Sequence, residues 1–139
     1  MKILNILVRR CLPLDQFEKA VAFHEELIGQ KARLRFDYPA YNLKLAQVVS
    51  ILFIAGSPES LAPFVKTHAT FLVDDIQGYA QHLPDRGAEV IEAPKAVPTG
   101  WNMLVRHPDG MLVEYVEHRE KHPADTLTDA TYPDRMFTQ

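Results

Sequence analysis

The 139-residue sequence contains one cysteine, Cys11, and this scarcity excludes two kinds of site. A single thiol cannot form a disulfide within the chain, and it cannot build a cysteine cluster for zinc. No His or Asp stands at a spacing from Cys11 that is typical of a catalytic thiol. We therefore expect no chemistry at Cys11 and a reducing, cytoplasmic setting.

Long apolar runs and an excess of positive charge are also missing. No run approaches the ~20 apolar residues that span a membrane, and Met1 to Asn5 lacks the features of a signal peptide. The net charge is −3, and no basic stripe is interleaved with aromatic residues. The sequence therefore predicts neither a nucleic-acid partner nor a membrane partner.

The sequence does contain an internal repeat of one strand, one helix and three strands. A strand at 3–12 precedes a helix that starts at a capping-box-like Asp15 and ends at Gly29. A strand at 67–73 precedes a second helix that starts at Asp74. The strands that follow are predicted at 32–36, 43–49 and 50–55 in the first half, and at 88–91, 101–106 and 111–117 in the second. Two such units predict an α+β domain with pseudo-twofold symmetry.

The first helix has an apolar face with a histidine at its centre. On a 3.6-residue wheel this face holds Phe17, Ala20, Val21, Leu27 and Ile28. His24 lies in the middle of the face. We interpret His24 as a core residue that bonds a backbone carbonyl.

A carboxylate stands alone in the last predicted strand. Pro108-Asp109-Gly110 is a turn signal between two apolar runs, and Glu114 interrupts the second run. Burying a carboxylate costs several kcal/mol unless it is paired, protonated or bound to a metal. Glu114 therefore needs a partner.

Three stretches, 15–29, 68–75 and 100–117, resemble the vicinal oxygen chelate superfamily, which groups glyoxalase, bleomycin resistance protein and extradiol dioxygenase. The likeness covers residues 3–118 and implies a single-domain α+β member, in which two βαβββ repeats form a half-open, barrel-like cup. The domain would then span 1–118, with 119–139 as a polar C-terminal tail or a dimer arm. The resemblance also implies a homodimer, which is the commonest kind of oligomer.

Metal enzymes of this superfamily hold a divalent ion at the start of the first and fifth strands and the ends of the fourth and eighth. The resemblance places His68 and Glu114 at the fifth-strand and eighth-strand positions. Arg9 falls at the first position and has no lone pair to give, while Leu52 or Ile54 falls at the fourth. Two ligands rarely hold a catalytic metal. We therefore expect no metal cofactor, and any divalent metal that did bind would use His68 and Glu114.

Arg9 leaves three alternatives open. It could face the cup and pair with Glu114, or hold the carboxylate or phosphate of a ligand. It could also point to solvent at a twisted strand end, and Arg10 offers the same choices.

The sequence supports two hypotheses about function. The first is a metal-free cup that binds a small molecule, which could be anionic. The second is an enzyme, either a metal-dependent lyase, isomerase or dioxygenase, or a metal-free acid–base catalyst that uses His68 and Glu114. The predicted ligand-binding residues are Arg9, Leu52, Thr70, Trp101, Asn102 and Leu112, and further candidates for the cup wall are Tyr38, Tyr41, Phe53 and Arg106.

Overall fold

In the computed structural model, which describes residues 1–121, both predicted repeats belong to one curled eight-stranded sheet. The strand order is β2-β3-β4-β1-β5-β8-β7-β6. The strands are β1 (Ile3–Leu12), β2 (Leu34–Tyr38), β3 (Leu43–Val48), β4 (Ile51–Ala55), β5 (Ala69–Val73), β6 (Glu89–Val97), β7 (Gly100–Arg106) and β8 (Leu112–His118). The helices are α1 (Phe17–Ile28), α2 (Pro58–Leu61) and α3 (Ile76–His82). The predicted α+β class and the two βαβββ repeats are confirmed.

The two repeats join at the middle of the sheet. There β1 and β5 run antiparallel, while β1 pairs with β4 and β5 pairs with β8 in parallel. The long connections between the parallel strands contain α1 and α3, which cover one face of the sheet. The opposite face curls into the cup.

The helix-covered face holds two of the buried apolar clusters. One lies under α1 and includes Phe17, Val21 and Phe53, and the other lies under α3 and includes Ile76 and Tyr115. A third cluster, on the cup side, is built mainly from leucines of the first repeat.

The apolar face predicted for α1 is packed against the sheet at its centre but exposed at one edge. His24 Nδ1 lies 2.9 Å from the carbonyl oxygen of Ala20, and the imidazole packs 5.0 Å from the Phe53 ring, as expected for a core histidine. Leu27, however, is 70% exposed. The helix turns about 100° per residue, so the neighbours of a core position rotate quickly toward solvent.

Neither helix starts at the predicted cap. Asp15 lies in a 3-10 turn at Leu14–Gln16, and the N-cap of α1 is Gln16, which makes no side-chain cap. In α3 the cap is Asp75 rather than Asp74, and its carboxylate accepts a 2.9 Å hydrogen bond from the Gly78 amide. Sequence pattern alone did not separate two adjacent aspartates.

Strand boundaries differ most in the second repeat. β6 extends to Val97 rather than 91, because register shifts on both sides of Glu92 let the strand continue past an irregular stretch. β5 begins at Ala69, two residues later than predicted. The first change matters most, since it adds Lys95 to the cup.

Within residues 1–121, no helix covers the middle of the helix-covered face. α1 packs on β3 and β4, and α3 packs on β6, β7 and β8, so Ile6 and Val8 of β1 are 47% and 63% exposed. Ile6 and Val8 form an exposed apolar stripe, and such a stripe on a sheet face is typical of a protein–protein contact. Among residues 1–121, no helix is long and apolar enough to cross a membrane.

We propose that the chain is a homodimer that buries this stripe. Light scattering at micromolar protein should give twice the monomer mass of 15.8 kDa. Val8→Glu should shift the mass toward the monomer, whereas Val65→Glu, at a 56% exposed position on another surface, should not. A monomer mass for the unsubstituted protein would refute the proposal.

Candidate functional site

A row of polar side chains crosses the cup face of five adjacent strands. In spatial order they are Arg9 on β1, Thr70 on β5, Glu114 on β8, Asn102 on β7 and Lys95 on β6. Register explains the alignment, because Thr70 pairs with Glu114 and Lys95 pairs with Asn102. We call these five residues the polar band.

Arg9 is fixed at one end of the polar band. Its Nη1 donates to Thr70 Oγ1 at 2.8 Å and to Glu114 Oε1 at 3.1 Å, and its Nη2 donates to the carbonyl oxygen of Phe64 at 3.3 Å. The Arg9 side chain is only 4% exposed. Arg9 therefore faces the cup and pairs with Glu114, the first of the three alternatives that the sequence left open.

Glu114 receives hydrogen bonds from three residues. Besides Arg9, Thr70 Oγ1 donates to Oε1 at 3.0 Å and Asn102 Nδ2 donates to Oε2 at 3.3 Å. The Glu114 side chain is 21% exposed. The lone carboxylate of the last strand thus has its partners, and one edge of it still faces the cavity.

The cavity beside the polar band is mostly apolar and measures about 80 Å³. Its apolar wall comes mainly from the first repeat and includes Leu34, Phe36, Leu43, Leu45, Leu52 and Ile54. The cup is therefore divided, with hydrocarbon on the β2–β4 side and hydrogen-bonding groups on the β5–β8 side. We call this cavity the inner chamber.

A second cavity is lined by four of the same polar residues. This outer chamber measures about 110 Å³ and shares Arg9, Glu114, Asn102 and Lys95 with the inner chamber. Tyr41 and Phe64 also line both chambers. Their rings meet edge to face at 5.1 Å.

Lys95 is the accessible cation of the polar band. Its side chain is 46% exposed, and its Nζ lies 3.5 Å from Glu92 Oε1. Partial burial lowers the pKa of Lys95, but Tyr41 and Glu92 raise it, and the net direction is upward. Lys95 therefore stays protonated at neutral pH.

Of the predicted ligand-binding residues, four line the inner chamber, namely Arg9, Leu52, Thr70 and Asn102. Leu52 is paired directly with Arg9 across β4 and β1. Trp101 lies on the opposite face, where its ring packs under the Arg119 guanidinium at 4.7 Å. Leu112 contributes no wall to either chamber and instead donates its amide to His68 Nδ1 at 2.9 Å.

The remaining candidates divide in the same way. Tyr38 and Tyr41 line the inner chamber, whereas Phe53 is fully buried under α1. Arg106 is 51% exposed and lies 3.7 Å from Glu89. His68 precedes β5 and lines neither chamber, whereas Glu114 lines both.

Sequence reasoning missed Lys95 and Phe64. Lys95 belongs to the part of β6 beyond the predicted end of that strand. Phe64 lies in the connection after α2, and its contact with Arg9 is through its backbone carbonyl, which no side-chain pattern announces. The one sequence signal that pointed to Lys95 was a positive charge beside Pro94.

The donors around the polar band do not fit a divalent metal. Within residues 1–121, no three His, Cys, Asp or Glu side chains lie close enough to share an ion. The Arg9 guanidinium, a permanent cation, lies 3.1 Å from the carboxylate that would be a ligand. A second cation at that point would be repelled, so we derive no chemistry through a metal.

Solved structures resemble most of the chain. An uncharacterized protein from Methanosarcina mazei is 47% identical, with a TM-score of 0.79, and the match covers 88% of this chain and 98% of that one. Methylmalonyl-CoA epimerase from Mycobacterium tuberculosis is 17% identical, with a TM-score of 0.63 and coverage of 85% and 90%, and this likeness concerns the fold alone. None of the curated proteins compared with the chain matches it.

The family comparison agrees with the sequence, the strand topology and the cup. The model of the glyoxalase/bleomycin resistance protein/dioxygenase superfamily matches residues 5–115. That range covers at least part of all eight strands, although β1 begins before it and β8 continues beyond it. The chain belongs to the glyoxalase/bleomycin resistance protein/dioxygenase superfamily.

Proposed function

We propose that this protein binds a small, largely apolar molecule in a cup whose resident cation is Arg9 rather than a metal ion. One observation carries the proposal: Arg9 Nη1 donates to both Thr70 Oγ1 and Glu114 Oε1, and so places a buried positive charge at one end of the polar band. The guanidinium balances the carboxylate and holds the strands of both repeats together. No cofactor is needed for this arrangement.

The composition of the inner chamber supports a binding role. Ligand sites are mostly apolar clefts with a few convergent polar groups that set orientation. The inner chamber has this division, with Leu52 and its aliphatic neighbours facing Thr70, Glu114 and Asn102. An apolar body would pack on the first repeat while a polar group turned toward the second.

A metal-free enzyme is the second candidate, and one observation favours it. Glu114 lines both chambers, so its carboxylate could exchange a proton with a bound molecule. The proposed partner His68 gives less support, because its Nδ1 already accepts the Leu112 amide. Binding without turnover distinguishes the first candidate from the second.

The binding proposal is tested by filling the inner chamber. Leu52→Phe adds volume at a 7% exposed position in the chamber wall, and it should weaken binding of neutral compounds such as phenol, indole and cyclohexanol at least tenfold. Leu27→Phe is the matched control, because Leu27 is 70% exposed on α1. Binding would be measured by NMR titration, with thermal melts to verify that both variants are folded.

Equal affinities for Leu52→Phe and Leu27→Phe would place the binding site elsewhere. If none of the neutral compounds bound the unsubstituted protein, the binding proposal would fail. Conversion of a bound compound into a product would favour the enzyme, and Glu114→Gln would then test the role of the carboxylate.

A further inference from the structure

The outer chamber has a larger share of polar residues in its wall than the inner one. Its wall adds Thr67 and Glu92 to the polar residues that both chambers share, Lys95 among them. A molecule in the inner chamber that extended past Tyr41 and Phe64 would bring its far end to these groups. The polar end of the ligand would therefore be recognised in the outer chamber.

Arg9 is poorly placed to bind a ligand's negative charge, although its buried Nε has no hydrogen-bond partner within residues 1–121. Its side chain is 4% exposed, and its guanidinium already bonds Thr70, Glu114 and the Phe64 carbonyl. An anion that displaced Glu114 from Arg9 would leave that carboxylate without its main counter-charge. The Arg9–Glu114 pair therefore lines the cup without adding net charge to it.

Lys95 has the opposite properties. It is about half exposed, and its ion pair with Glu92 joins two exposed side chains at 3.5 Å. Ion pairs of this kind are weak and exchange readily with other anions. Lys95 is also paired in register with Asn102, whose amide nitrogen has a second hydrogen besides the one directed at Glu114.

We infer that the ligand is a small amphipathic carboxylate, with its apolar body in the inner chamber and its carboxylate between Lys95 and Asn102 in the outer chamber. The inference rests on the proposed binding function and adds the class of ligand to it. Lys95 supplies the positive charge, Asn102 supplies a directed donor, and the Arg9–Glu114 pair adds no net charge. Tyr41 and Phe64 lie where the body of the ligand would pass between the chambers.

Matched pairs of acids and amides test this inference. The probes are phenylacetate with phenylacetamide, 4-phenylbutyrate with 4-phenylbutyramide, and hexanoate with hexanamide, with affinities measured by NMR titration at low ionic strength. The unsubstituted protein should bind the acid of at least one pair about tenfold more tightly than its amide. Lys95→Met should abolish that preference by weakening the acid alone, and Lys95→Arg should retain it.

Lys44→Met is the matched control, because Lys44 is exposed on β3 and lines neither chamber. It should leave the preference for acids intact. Equal binding of acids and amides, or a preference that survives Lys95→Met, would overturn the inference while leaving the cup a binding site. If neither acids nor amides bound, the proposed function would fail together with the inference.

Discussion

Arg9→Leu should destabilise the folded protein by about 3 kcal/mol, although leucine fits an apolar cup. Removing one partner of a buried ion pair typically costs 3–5 kcal/mol, because the other charge remains buried without compensation. We expect the lower end of this range for Arg9→Leu, since Glu114 is 21% exposed and keeps its hydrogen bonds from Thr70 and Asn102. Denaturant melts monitored by circular dichroism would measure the change.

The double variant Arg9→Leu/Glu114→Gln should lose less stability than the sum of the two single changes. Glu114→Gln leaves Arg9 almost fully buried without its counter-charge, whereas the double variant removes both charges. Coupled sites in contact show interaction energies of about 0.5–3 kcal/mol, and we expect about 2 kcal/mol for this pair.

Arg10→Leu is the matched control for these melts. Arg10 is the next residue on β1 and is exposed, with one hydrogen bond from Nη1 to the carbonyl oxygen of Cys11. It should change the free energy of unfolding by less than about 0.5 kcal/mol. Small and additive effects of Arg9→Leu and Glu114→Gln would mean that Arg9 is solvated, and the account of the polar band would then be wrong.

Gly100→Ala should strongly destabilise the folded protein. Gly100 starts β7 and pairs with His118 across β8. A Cβ at Gly100 would overlap the carbonyl oxygen of Glu117 and lie 2.9 Å from His118 Cα, and both neighbours are backbone atoms. Because backbone atoms cannot rotate away, the strands must separate, and we expect a loss of about 3 kcal/mol or more.

Gly29→Ala separates this effect from the ordinary cost of replacing glycine. Gly29 ends α1 with a φ of 81°, and a Cβ there would meet no atom within 4 Å. It should therefore cost about 1–2 kcal/mol, from the left-handed backbone alone. Equal melting temperatures for the two variants would contradict the close packing of β7 against β8.

The repeat was readable from the sequence because its signals are local and occur twice. Alternation in strands, the wheel of α1 and the Pro108-Asp109-Gly110 turn each depend on residues close in the chain. The extent of β6 was not readable, because its register shifts on both sides of Glu92 interrupt the alternation that predicts a strand. The missed part of β6 contains Lys95.

The polar band was also only partly predictable from the sequence. A lone Glu114 in an apolar strand demands a partner on physical grounds, and Arg9 was a reasonable candidate. Trp101 and Asn102 are adjacent in β7, so only one of them can face the cup. Sequence alone does not say which one, since the answer depends on the pairing of β7 with β8.

The remaining predictions for 119–139, as a polar tail or a dimer arm, concern residues that mostly lie outside the described part of the chain. They stay predictions. A truncation after Lys121 would test them through the mass of the assembly, because an arm that joins two subunits would be lost. The dimer proposed from Ile6 and Val8 does not require the tail.

Elemental analysis would show whether Arg9, rather than a metal ion, is the cation of the cup. Protein purified without chelator would be measured for Ni, Zn, Fe, Mn and Co by inductively coupled plasma mass spectrometry, alongside His68→Ala and Glu114→Ala. We expect no stoichiometric metal in any of the three proteins, because Arg9 already provides the charge that Glu114 needs. Close to one metal ion per chain, lost in both His68→Ala and Glu114→Ala, would contradict this expectation.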